Sequence, residues 1–138
     1  MIYVVVQFSC IIYLIFNMRF DALDALEWVL ILAAMVIGLS AIINMRLGNI
    51  NILPTLKHNH QLVTSGIYRW IRHPMYSSVL LMCLALTLTN SHQIAQLVMI
   101  VLLLDLALKS NLEEKLLAQN FKEYSSYKSK TGRFIPFL

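Results

Sequence analysis

The stretch WVLILAAMVIGLSAIINM, Trp28 to Met45, runs for 18 residues without a charge. As a helix it would reach about 27 Å, close to the roughly 30 Å hydrocarbon core of a bilayer. Three similar runs lie around it. Ile2 to Met18 is uncharged for 17 residues, Met75 to Thr89 for 15, and Gln93 to Leu104 continues past Asp105 to Leu108. Hydrophobic residues make up 59% of the 138 and charged residues 13%, against about 25% charged in soluble domains. Disorder is excluded and a water-soluble globule disfavoured. The expected class is an all-α integral membrane protein: one domain over residues 1–138, with four transmembrane helices at about 2–18, 28–45, 75–89 and 93–108. No Lys or Arg precedes the first run and no small-residue cleavage site follows it before Arg19, so a span is expected there and not a removable leader.

Charge placement sets the expected orientation. Arg19 stands alone between the first two runs, beside Asp21, Asp24 and Glu27. Arg46, Lys57, Arg69 and Arg72 lie between runs two and three, and Lys109, Lys115, Lys122, Lys128, Lys130 and Arg133 follow run four. Ten of eleven basic residues thus fall on one side of a four-span chain, which the positive-inside rule makes cytoplasmic. The expectation is a multi-pass protein with both termini cytoplasmic. The net charge of +4 forms no continuous stripe, so no nucleic-acid partner is expected. Cys10 and Cys83 sit inside apolar runs and form no disulfide framework. His58 and His60 are only two potential ligands, so no metal is expected.

The two basic segments share a face. The first, from Arg46 to Arg72, contains Gly48, Pro54 and Gly66 and ends against Pro74, so it is irregular. Thr64-Ser65-Gly66 signals a turn with glycine at positive φ, and Pro74 suits the first turn of the third span while excluding His73 from the helix. Arg72, His73 and Tyr76 would then stand at the membrane boundary with their polar tips toward the cytoplasm. Physics alone also allows a plain anchoring belt of aromatics and arginines. In the tail, Leu112, Leu116, Leu117, Phe121 and Tyr124 recur near helical spacing. They predict a cytoplasmic amphipathic helix from Asn111 to about Tyr127, lying on anionic membrane lipid and opened by a capping box, Ser110-x-x-Glu113. Asp105 and Lys109 are spaced i, i+4. Either Lys109 neutralises the acid, or both face a polar cavity.

Joined in order, His60-Gln61-Leu62-Val63-Thr64-Ser65-Gly66-Ile67-Tyr68, Arg72-His73-Pro74-Met75-Tyr76, Glu113-Glu114 and Gly132-Arg133-Phe134-Ile135-Pro136 resemble the isoprenylcysteine carboxyl methyltransferase family. That family is related to the phospholipid N-methyltransferases, and the likeness covers residues 46 to 138. It implies an S-adenosylmethionine site at the cytoplasmic face, built from segments 60–76 and 109–127. The cofactor would be held by His60, Gln61, Leu62, Val63, Tyr68, His73, Pro74, Met75, Tyr76 and Glu113, the last taking its amino group. Lys109 stands where the family often has a substrate-facing arginine, and Arg72 is a second expected substrate contact. Ser78 replaces a family glycine.

The activity so implied is methyl transfer to a lipophilic acceptor drawn from the bilayer: the carboxylate of a prenylated cysteine, or a phospholipid or other small lipophile. A carboxylate is ionised at neutral pH and needs no general base, so none is assigned. An amine would have to lose a proton first, for which Glu113, Glu114 and His73 are candidates. A non-enzymatic membrane-interaction protein with a basic tail is the reading outside enzymes.

Overall fold

The structure is a computed structural model that describes residues 1–45, 61–90 and 92–138. Among these residues all regular structure is helical, and the sole extended pairing is an isolated parallel bridge between Ile71 and Gly132. The helices are α1 (Ile2–Asn17), α2 (Ala25–Met45), α3 (Pro74–Leu88), α4 (Gln93–Asn120) and α5 (Tyr124–Lys128), with 3-10 turns at Phe20–Ala22 and Gly66–Arg69. Among the described residues, α2 and α4 have the length and apolar character to cross a membrane, and α1 and α3 are shorter apolar helices. α1 and α3, with 16 and 15 residues, reach about 24 and 22 Å.

The packing leaves much apolar surface uncovered. Phe16, Val36, Ile43, Leu97 and Leu104 are exposed, while Cys10, Leu14, Cys83, Leu86, Leu102 and Leu106 form a core where α1, α3 and α4 meet. A polypeptide can leave such a surface open where lipid, not water, surrounds it. α2 joins α3 through small residues. Ala34 and Ala41 are fully buried, and a Cβ added at Gly38 would come within 2.6 Å of Ser78 Oγ. Ser78 donates to the Ala34 carbonyl at 2.7 Å. Close backbone approach plus an interhelical hydrogen bond is how apolar helices associate without a hydrophobic driving force between them.

Several boundaries differ from expectation. α2 begins at Ala25, three residues before the uncharged run, because Glu27 Oε2 accepts from the Asp24 N–H at 3.0 Å and caps the helix start. The larger correction concerns the tail. No separate amphipathic helix opens at Asn111; α4 runs unbroken from Gln93 to Asn120. Ser110 is fully buried inside it and donates to the Ala107 carbonyl at 2.9 Å, so it is no cap and the proposed capping box does not form. A mid-helix serine satisfied by the preceding turn leaves the helix free to continue. The helix ends at Phe121, in the extended region, and α5 is a short separate turn.

The carboxy-terminal segment returns to the middle of the chain. Arg72 N–H donates to Gly132 O (2.8 Å), His73 N–H to Arg133 O (3.0 Å) and Gly132 N–H to Trp70 O (3.1 Å). Ser77 Oγ donates to Phe134 O at 2.6 Å. Arg72 and His73 are therefore covered by this segment, and their side chains are 9% and 8% exposed instead of projecting freely from a helix mouth. Gly66 has the positive φ its turn predicts, +60°, and a Cβ there would collide with the Asn44 side chain of α2. His58 and His60, the two histidines from which no metal site was expected, lie outside the described residues, as do Arg46 and Lys57.

Candidate functional site

The polar residues converge where the start of α3 meets the middle of α4. Pro74 at the first helical position keeps His73 non-helical (φ −123°, ψ 60°), which turns its ring toward α4. There Glu113 and Glu114 follow each other, about 100° apart around the helix axis. His73 bridges both, its Nδ1 3.5 Å from Glu113 Oε2 and its Nε2 3.3 Å from Glu114 Oε1.

Glu114 is an ion-pair hub. Arg72 Nε donates to its Oε1 at 2.9 Å, and Lys128 Nζ and Arg133 Nη2 stand 2.8 and 3.6 Å from Oε2. Its side chain is 4% exposed. Burial pushes its carboxyl up, yet the bonds from His73, Lys128 and Arg72 together outweigh burial and hold it well below the usual range. Arg72, expected at the substrate, also donates from Nη1 to the carbonyls of Lys128 (3.1 Å) and Thr131. A carboxylate so surrounded by cations is a poor proton acceptor, which removes Glu114 from the candidates for activating an amine.

Glu113 is more open, its side chain 21% exposed. The Tyr76 hydroxyl donates to its Oε1 at 2.5 Å. Burial raises its carboxyl above the usual range, partly opposed by Tyr76, His73 and Lys109. Beside it three rings gather: His73 and Tyr76 stack in parallel with centroids 5.4 Å apart, and Phe134 lies 6.1 and 6.5 Å from them. Tyr68 is buried, and its hydroxyl has no hydrogen-bond partner among the described residues. Burial, then Tyr127 and Glu113, push that hydroxyl's pKa up, so it stays a donor. Its carbonyl accepts from Tyr127 Oη at 2.6 Å.

Toward the apolar end of α4, Lys109 is only 2% exposed. Its Nζ donates to Gln7 Oε1 of α1 at 3.0 Å and stands 5.1 Å from the Tyr76 ring centroid. It forms no ion pair with Asp105 within 4 Å, and Asp105 Oδ2 is buried without a hydrogen-bond partner. Direct neutralisation of Asp105 by Lys109 therefore does not occur in this conformation.

Of the residues expected to hold a cofactor, His73, Tyr76 and Glu113 are in direct mutual contact and Tyr68 lies near them. Pro74 and Met75 form the first turn of α3, Pro74 buried and Met75 half-buried. Gln61, Leu62 and Val63 make an irregular lead into the 3-10 turn, with Gln61 exposed; His60 lies outside the described residues. Gln7 escaped sequence reasoning, and Phe134, though part of the closing motif, was given no place in the site. Gln7 was visible as a side-chain amide inside an apolar run, a costly residue in lipid and a functional candidate on that ground. For Phe134 the motif gave no position, since only the return of the tail brings it to the rings.

Chemically, one carboxylate, three aromatic faces and an unpaired hydroxyl donor make a surface for an organic cation that also carries hydrogen-bond acceptors. The sequence pattern of the phospholipid methyltransferase family matches residues 25–124. That range takes in the start of α3, both glutamates and Tyr124. No curated protein matches the chain.

Proposed function

The chain belongs to the phospholipid methyltransferase family, and from that premise we propose that it transfers a methyl group from S-adenosylmethionine to a lipophilic acceptor at the cytoplasmic membrane face. The observation that carries the cofactor assignment is the pairing of a partly open, cation-seeking Glu113 with the buried, unpartnered Tyr68 hydroxyl. Glu113 would take the cofactor's ammonium. His73, Tyr76 and Phe134 would face its sulfonium, and Tyr68 would donate to one of its oxygen or nitrogen acceptors. Gln61, Leu62, Val63, Pro74 and Met75 would complete the wall. When bound, S-adenosylmethionine supplies an activated methyl group whose leaving group is a neutral thioether.

The chain's own work is then positioning and exclusion of water. The Glu114 hub fixes Arg72 and His73, and Arg72 acts through this scaffold and not on substrate. The Phe134 segment covers the rings. Lys109 supports the finer reading: its ammonium is buried, held by a neutral amide, and has no carboxylate within 4 Å. An anionic acceptor group, such as the carboxylate of a prenylated cysteine, would meet that charge and needs no deprotonation. A second reading, an amine-bearing phospholipid as acceptor, is favoured by the unpartnered Asp105 Oδ2, which would receive an ammonium. In both, α1 to α4 all cross the bilayer with the two termini cytoplasmic, α1 and α3 as short spans.

The test is a methyl-transfer assay on detergent-purified protein with tritiated S-adenosylmethionine. A prenylcysteine analogue and phosphatidylethanolamine are offered separately. Label recovered as a base-labile ester of the prenylcysteine is the expected result. Label on the phosphatidylethanolamine amine would replace the acceptor, and no binding of cofactor or its demethylated product would sink the reading.

A further inference from the structure

α4 carries a second feature, on the other side of Glu114 from the three rings. Leu97, Val101, Leu104 and Leu108 are exposed and follow each other at three- and four-residue intervals, so they form one stripe along the helix. This is the face α4 turns to lipid. Lys115 continues the same stripe seven residues after Leu108, just beyond the apolar run. Beside it a cleft of about 330 Å³ opens between α4 and α5, lined by Asn111, Lys115 and Glu114 on one wall and by Tyr124, Ser125 and Lys128 on the other.

Two observations say what this cleft is built to take. Tyr124 is 1% exposed, yet its hydroxyl has no hydrogen-bond partner among the described residues. A buried donor left unpaired is costly, and a ligand oxygen would satisfy it. The charge is also unbalanced. Glu114 is the one acid in the lining, and Arg72, Lys128 and Arg133 already surround it. Lys115 adds a further cation with no ion-pair partner among the described residues.

We propose that this cleft binds the phosphate of an anionic phospholipid whose acyl chains lie along the Leu97–Leu108 stripe. The lipid is a bound component of the fold and not the methyl acceptor. Lys115 and Lys128 attract the phosphate, and Asn111, Ser125 and the Tyr124 hydroxyl donate to its oxygens. Its source is the bilayer, because the cleft continues the lipid-facing stripe at the level where the apolar residues stop. The inference rests on the membrane setting of α4 and is independent of which acceptor is methylated.

The experiment is native mass spectrometry of the full chain in detergent, titrated with dioleoylphosphatidylglycerol or dioleoylphosphatidylcholine, with inorganic phosphate as competitor. The wild type should bind the glycerol lipid about tenfold more tightly. Lys115→Gln and Tyr124→Phe should each weaken that binding about two- to tenfold. Lys115 is exposed, and Tyr124→Phe removes only an unpaired hydroxyl, so both variants should fold with unchanged or higher Tm in lipid-free detergent. Lys115→Gln should bind S-adenosylhomocysteine like the wild type, which separates failure of this site from failure of the methyl-transfer reading. Equal affinity of the wild type for the two lipids, or affinity for the glycerol lipid that is unchanged in both variants, would overturn the proposal. Complete displacement by millimolar phosphate would assign the cleft to a free anion and overturn the lipid source.

Discussion

Glu113 and Glu114 are adjacent on one helix and live in different electrostatic regions. Glu114 faces α5 and the returning tail, where Arg72, His73, Lys128 and Arg133 crowd it and leave its own side chain 4% exposed. Glu113 faces the start of α3, where it receives one hydroxyl and stands near one imidazole, with a fifth of its side chain still open. The difference is a matter of satisfaction. A buried carboxylate with several cationic partners is spent on holding the structure together, and one with fewer partners in a partly open pocket keeps capacity for a ligand. The same division separates the two arginine-like roles expected from the sequence: Arg72 belongs to the closed region, and Lys109 remains at the edge of the open one.

The contrast breaks most sharply at Glu114. Glu114→Gln strands Arg72 without its anion, and loss of one partner of a buried pair costs about 3–5 kcal/mol. The Tm in detergent should fall on the order of 10 °C. A fall of less than about 3 °C would mean that the hub is not what holds the tail. The pH dependence follows the same logic. Because the folded carboxyl is depressed, its stabilisation is fully present above about pH 4.3 and is lost as pH falls below that toward the folded value. Wild-type unfolding should therefore steepen in acid, and Glu114→Gln should lack that component.

Glu113→Gln should do the opposite: Tm close to wild type, with affinity for S-adenosylhomocysteine down about ten- to a hundredfold, the worth of one charged hydrogen bond. The carboxyl is raised in the free protein, so it holds its proton to a higher pH than an ordinary glutamate. Binding of an ammonium needs the ionised form. Affinity should thus rise with pH through a window above the usual glutamate range, about tenfold per unit at most, and the slope should disappear in Glu113→Gln. A slope unchanged in the variant would place the titrating group elsewhere.

Lys109 sharpens the open region with a smaller effect. Lys109→Ala should raise the acceptor KM about tenfold, equivalent to about 1.4 kcal/mol, with cofactor affinity nearly unchanged. Lys109→Arg should retain activity on a carboxylate through its paired donors. If Asp105→Asn restores the activity of Lys109→Ala, the lysine serves Asp105 at longer range and not the acceptor. Smallest is Tyr127→Phe, which removes the hydroxyl that braces the Tyr68 carbonyl. It should cost about 1 kcal/mol, seen as a shift of a few degrees in Tm.

Local chemistry was legible. The Gly66 turn, the Pro74 start of α3 and the apolar helices follow from φ preferences and hydropathy, which act within a few residues. The break near Ser110 was misread because a serine followed three residues later by glutamate has the same spelling whether it caps a helix or lies within one. Only the neighbouring carbonyl of Ala107 distinguishes the two cases. The pairing of Gln7 with Lys109 spans about a hundred residues of sequence, so no local pattern contains it.

By itself, then, the sequence determined the helical class, the apolar character of the chain and the polar residues available at the ends of its helices, because each depends on composition and on periods of a few residues. The tertiary structure decided which of two neighbouring glutamates is closed and which is open. That choice depends on where the tail lands, and its anchors are backbone hydrogen bonds from Arg72 and His73 to Gly132 and Arg133. Backbone groups are alike at every residue, so their partners are chosen only when the chain folds.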